Sequence, residues 1–168
     1  MATQFVEFQP EEAQFLTTAF PGLVKNVGTN FPVLGLAYDA SIQETAYWKF
    51  RATNYLSGDL TLKIYWYADT AIANSIVWEA GIAVITPDTD SQDVETKAFA
   101  AINFVQDTHL GTVIQRLHVA TISISNLDSI ATDDIIWIKI ARDADGTNAT
   151  DDLTGDAIFV MAVLSFTT

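Results

Sequence analysis

Between Thr45 and Ala68 apolar and polar side chains alternate with a period of two. Ala46, Trp48, Phe50 and Ala52 fall on one side of the pattern, and Tyr47, Lys49 and Arg51 on the other. After Asn54, Ser57, Gly58 and Asp59 the alternation resumes, with Leu60, Leu62, Ile64 and Trp66 against Thr61, Lys63, Tyr65 and Tyr67. Side chains of a pleated strand switch faces at every residue, so this stretch predicts two strands and a turn. A helix would scatter the same apolar positions around its circumference.

The pattern continues along the chain. Strands are predicted at Phe31–Tyr38, Thr45–Ala52, Leu60–Ala68, Ser75–Thr86, Lys97–Gln106, Thr112–Ile124, Asp134–Asp143 and Asp156–Phe166. Every connection carries the Gly, Pro, Asn, Asp or Ser that turns require. Eight strands with turns of this kind, and no competing long helical period, argue for an antiparallel sandwich or barrel rather than βαβ units. The expected fold is all-β, an eight-stranded antiparallel jelly roll over residues 31–168 with an N-terminal arm over residues 1–30. Jelly-roll wiring orders the strands first-eighth-third-sixth in one sheet and second-seventh-fourth-fifth in the other. The core then holds Trp48, Phe50, Leu62, Ile64, Trp66, Trp78, Ile138 and Phe159, with Val33 or Leu34.

Two features point beyond the core. Strands 75–86 and 156–166 are apolar on both faces, so something must cover their outer sides. Residues 1–30 carry Phe5, Phe8, Phe15, Phe20 and Leu23 without a clear period, beyond what eight strands need. These five residues are the expected partner-binding set, with the arm as the attachment element. Tyr47, Tyr65 and Tyr67 lie opposite the core tryptophans and form a possible subunit interface, since Tyr suits such surfaces.

The 168 residues carry a net charge of −13. The eight basic residues are dispersed, so the clustered cations of a nucleic-acid surface are missing. There is no cysteine, which excludes disulfides, Cys-bound zinc and thiol nucleophiles. No apolar run approaches the ~20 residues of a membrane-spanning helix, and MATQFVEFQP lacks the look of a signal peptide. No catalytic motif is present, and His109 and His118 have no sequence-near partner, so no enzyme is expected. The loop from Asp143 to Asp152 is the best candidate for Ca²⁺, but it departs from the EF-hand pattern and reads as a solvated hairpin loop. The expectation is therefore no metal and no cofactor.

Three segments carry a family resemblance: Phe31 to Asp39, then Tyr47-Trp-Lys-Phe-Arg51, then Leu62-Lys-Ile-Tyr-Trp66. Arg142-Asp143, Leu153-Thr-Gly-Asp156 and a last strand near the C-terminus complete it. In this order of strands the chain resembles jelly-roll virion proteins of tailed bacteriophages, of the capsid decoration (cement) or tail-associated type. The resemblance implies a non-enzymatic homotrimer on the capsid surface of a virion. Its partner would be the major capsid protein, with no nucleic acid and no membrane. The alternative is a receptor- or carbohydrate-binding module of a phage tail.

Overall fold

A computed structural model describes all of residues 1–168. Its strands are β1 (Thr3–Phe8), β2 (Gly22–Val27), β3 (Pro32–Tyr38), β4 (Thr45–Arg51), β5 (Ser57–Ala68), β6 (Ser75–Ile85), β7 (Asn103–Thr108), β8 (His118–Ile124), β9 (Ile135–Arg142) and β10 (Ala157–Thr167). The helical segments are two 3₁₀ turns, Pro10–Glu12 and Val94–Thr96.

The strands make a two-sheet antiparallel sandwich. One sheet runs β2-β3-β10-β5-β8, with β1 also paired to β10; the other runs β4-β9-β6-β7. Leaving aside β1 and β2, this is the wiring expected of the jelly roll. Alternation places Leu60, Leu62, Ile64 and Trp66 of β5 inward against Ile136, Ile138 and Ile140 of β9, all fully or almost fully buried. Aromatic rings link the sheets: Trp48 meets Phe159 at 5.3 Å and Tyr38 meets Trp78 edge-on at 5.1 Å. Such offset and edge-on pairs add to the area they bury.

Residues 1–30, expected as a docking arm, contribute two strands to the larger sheet. β1 pairs with the second half of β10, from Phe8↔Ala162 to Thr3↔Thr167, and β2 pairs with β3 from Gly22↔Ala37 to Val27↔Pro32. Phe8, expected at a partner surface, is 2% exposed and packs on Trp48 and Phe50. Its place follows from register, because Gln4, Val6 and Phe8 lie opposite the inward residues Phe166, Leu164 and Ala162.

β6 is buried on both faces, as its sequence requires. The cover is the chain itself. Over one part lies the extended segment 97–102, where Ala100 N donates to Ile82 O at 2.9 Å. Gly81 permits this approach, since a Cβ there would meet Lys139 Cε at 3.1 Å and Ile102 Cγ2 at 3.4 Å. The loop between β9 and β10 closes over another part, where the Asn148 amide donates to the outward Glu79 carboxylate of β6. Segment 97–102, read from sequence as the start of a strand, therefore serves as a lid on the sheet. Regular pairing begins only at Asn103.

Candidate functional site

The outer face of the β4-β9-β6-β7 sheet carries an aromatic cleft. β4 and β9 pair with Tyr47 opposite Lys139 and Lys49 opposite Trp137. Both rings point away from the core, because their neighbours Trp48, Ile136 and Ile138 point into it. Ala83 of β6 lies opposite Trp137 and is small, which leaves room above it. Gln14 joins the edge of β4, exchanging backbone hydrogen bonds with Tyr47 at 2.8 and 3.0 Å. That contact brings Phe15 and Leu16 to one wall. The opposite wall is Val94, Glu95, Lys97 and Phe99.

The enclosed volume is about 420 Å³, within the range of small-ligand sites, about 300–1,000 Å³. Tyr47, Phe99 and Trp137 are half-buried, so each ring is held by packing yet presents an accessible face. Tyr47 and Phe99 lie 5.9 Å apart, and the Lys139 ammonium sits 5.2 Å from the centre of the Phe99 ring. Burial raises the Tyr47 phenol above its ordinary value, so at neutral pH it is a neutral donor and acceptor. Lys97 is tied to Asp128 at 3.0 Å, which props the wall.

Farther along the same face Glu79 is buried beneath Asn148 and Gln43, whose amides both donate to its carboxylate. Burial, then the Asp143 charge, raises its carboxyl above the usual range. The acidic loop that follows is occupied with its own structure. The Asp143 carboxylate accepts from Thr147 N at 3.1 Å and Asn148 N at 2.8 Å. Asp151 pairs with Arg142 at 2.7 Å, both side chains almost wholly buried. No group of three or more His, Asp or Glu is placed to hold a metal.

The remaining residues singled out in the sequence are dispersed. Phe15 lines the cleft and stacks on Phe20 at 5.4 Å, with Phe20 itself 43% exposed. Phe5 and Leu23 are exposed on β1 and β2. Tyr65 is half-buried on the outer face of the other sheet. Tyr67 is 5% exposed, and its hydroxyl accepts from the Asn26 amide. So Tyr47 and the other two tyrosines lie on opposite sides of the sandwich, and no single surface joins them. A larger concavity of about 660 Å³ covers Tyr67. Its aromatic residues are Tyr67, which is sealed, and Phe31 at the rim, so it offers no broad platform. The sequence reading missed Trp137 and Phe99 as site residues. Trp137 was legible, since it alternates with Ile136 and Ile138; Phe99 was not, since its place depends on how the segment 97–102 crosses the sheet.

No protein-family model matches the chain, and no curated protein matches its sequence. Solved structures do match in fold. The xylan-binding module CBM15 aligns over 99% of both chains with a TM-score of 0.50 at 7% identity. A carbohydrate-binding module of Cellvibrio mixtus lichenase 5A, solved with cellotriose, aligns over 97% of both chains with a TM-score of 0.48 at 8% identity. The module CBM27-1 of Caldicellulosiruptor saccharolyticus, solved with mannohexaose, aligns over 95% of this chain and 96% of its own, with a TM-score of 0.47 at 8% identity. The chain is thus a two-sheet antiparallel jelly-roll β-sandwich of the kind found in carbohydrate-binding modules.

This corrects the resemblance to phage virion proteins, together with the capsid-decoration role, the major capsid protein and the homotrimer as partners. A solved structure that matches over 99% of both chains is a xylan-binding module. Strand order is shared by jelly rolls of unrelated use and does not carry function. The apolar outer face of β6, which by its sequence needs a cover, is covered from within the chain.

Proposed function

We propose that this chain is a non-catalytic polysaccharide-binding module and that the Trp137 cleft is its binding site. The observation that carries the reading is the grouping of Trp137, Tyr47 and Phe99 in one open cleft, with Gln14, Glu95 and Lys97 among its lining. A pyranose ring has a face of C–H bonds and a rim of hydroxyls. Aromatic faces take the first, and amide, carboxylate and ammonium groups take the second. The cleft is open to solvent, which suits a chain segment rather than an enclosed single sugar. The fold supports the same reading, since the matching CBM15 structure is a xylan-binding module. Such binding needs no reacting group: the platform and the polar lining supply affinity and orientation.

Affinity electrophoresis against soluble xylan, glucomannan and mixed-linked glucan tests the proposal. Retardation by at least one of these is expected, and it is lost in Trp137→Ala and strongly weakened in Tyr47→Ala. Circular dichroism of each variant keeps loss of binding apart from loss of fold. Retardation unchanged in both variants would place the site elsewhere, and no retardation by any polysaccharide would overturn the proposal.

A further inference from the structure

Resting on that reading, we infer that the polysaccharide taken by the Trp137 cleft is acidic, and that Lys49 and Lys139 receive the carboxylates of its uronate units. The cross-strand register is the ground for this. Tyr47 faces Lys139 and Lys49 faces Trp137, so the two aromatic residues occupy one diagonal of a four-residue plaque and the two lysines occupy the other. Diagonal neighbours on adjacent strands stand about 7–8 Å apart, within reach of long side chains. A sugar stacked on either ring therefore has a lysine on the facing strand, whose long side chain can bring its ammonium group alongside.

The charge distribution agrees. The chain has 21 acidic and eight basic residues, and most of its surface repels a polyanion. Yet Lys49, Arg51, Lys97 and Lys139 lie on or over this one sheet face. Arg51 and Lys97 are paired with Asp133 and Asp128. Lys49 and Lys139 have no ion-pair partner. Lys49 is exposed beside Trp137, and Lys139 is held over the Phe99 ring. The acidic groups on this face are Asp128 and Asp133, each in an ion pair, Glu95 in the wall, and Glu79, which is buried near Lys139 and bonded to two amides, with Asp143 and Asp145 beyond it. None of them forms an ion pair with Lys49 or Lys139, so both cations remain available to a ligand carboxylate. A neutral glycan would leave them without a role in recognition.

Isothermal titration of the full chain with two xylo-oligosaccharides of equal length, one bearing two glucuronic acid branches and one bearing none, tests the inference. The acidic ligand is expected to bind about two- to thirtyfold more tightly at low salt, the range that two partly exposed ion pairs supply. The preference should shrink in 0.5 M NaCl, where screening is strong. Lys49→Gln and Lys139→Gln should each lower the ratio of acidic to neutral affinity. Lys63→Gln, on the outer face of the other sheet, should leave that ratio alone. Equal affinity for the two ligands would overturn the uronate inference and leave polysaccharide binding standing. A preference that persists in both cleft variants would also overturn it. Binding of neither ligand would overturn this inference, and it would overturn polysaccharide binding itself only alongside failure on the neutral panel above.

Discussion

Arg142 is fully buried at the end of β9, and its guanidinium organises the connection to β10. Nε and Nη2 grip the two Asp151 oxygens at 2.9 and 2.7 Å, and Nη1 donates to Gly155 O at 2.8 Å. Further donations reach Leu153 O and Tyr38 O. Asp151 in turn accepts from Val77 N at 3.1 Å, which ties the loop to β6. Asp151→Asn keeps the shape, removes the countercharge and turns an amide donor toward guanidinium donors. Breaking a buried pair from one side costs about 3–5 kcal/mol, because the remaining charge is stranded. For a chain of this length each kcal/mol lowers Tm by about 2–4 °C. The expected drop is therefore roughly 6–20 °C, with a matching loss in urea denaturation at unchanged slope. The double variant Arg142→Met with Asp151→Leu should be at least as damaged as Asp151→Asn, since it removes both charges but strands Val77 N and the Tyr38, Leu153 and Gly155 carbonyls. A loss below about 1 kcal/mol in Asp151→Asn would refute the reasoning, because that is the value of an exposed pair.

Phe8→Ala should cost about 3–5 kcal/mol in equilibrium denaturation, the range for a buried aromatic residue, whereas Phe5→Ala on the exposed face of the same strand should cost under about 0.5 kcal/mol. Gly35→Ala should destabilise by about 1–3 kcal/mol, because its Cβ would meet Ile158 Cγ2 at 2.6 Å and Phe159 O at 2.9 Å. His118 stacks on Trp66 at 5.0 Å and faces His109 at 4.6 Å, with Asp107 and Arg116 nearby; burial first, then His109, lowers its pKa below the ordinary 6.5. The unfolded chain therefore binds the extra proton, so this contribution is complete above pH 6.5 and is lost as pH falls toward the folded value. Denaturation midpoints against pH should show that slope, and His118→Phe should flatten it. Chelation with EDTA should leave Tm within about 1 °C, since the Asp143 and Asp151 carboxylates are engaged by the loop's own amides and by Arg142; a sharp drop reversed by Ca²⁺ would contradict this.

What the chain's own pattern determined is the sandwich and its wiring. The two-residue alternation of β4, β5 and β9 sorts Trp48, Ile64 and Ile138 from Tyr47, Lys63 and Lys139, and side-chain direction in a strand is a local property. Turn residues punctuate the same pattern, so the eight strands from β3 to β10 and their order in each sheet were legible. What covers an outward face is not local. β6 announces two apolar faces, but only the folded chain shows that segment 97–102 and the loop after β9 lie over one of them. The first thirty residues carry phenylalanines without a clear period, and register with β10 and β3 sends Phe8 inward and leaves Phe5 outside. The cleft belongs to the same class of fact. Trp137 could be assigned to an outer face from alternation alone, but Phe15, Phe99 and Tyr47 meet around it through contacts between residues more than thirty positions apart. Such contacts are chosen by packing of the whole sandwich, and no local period encodes them.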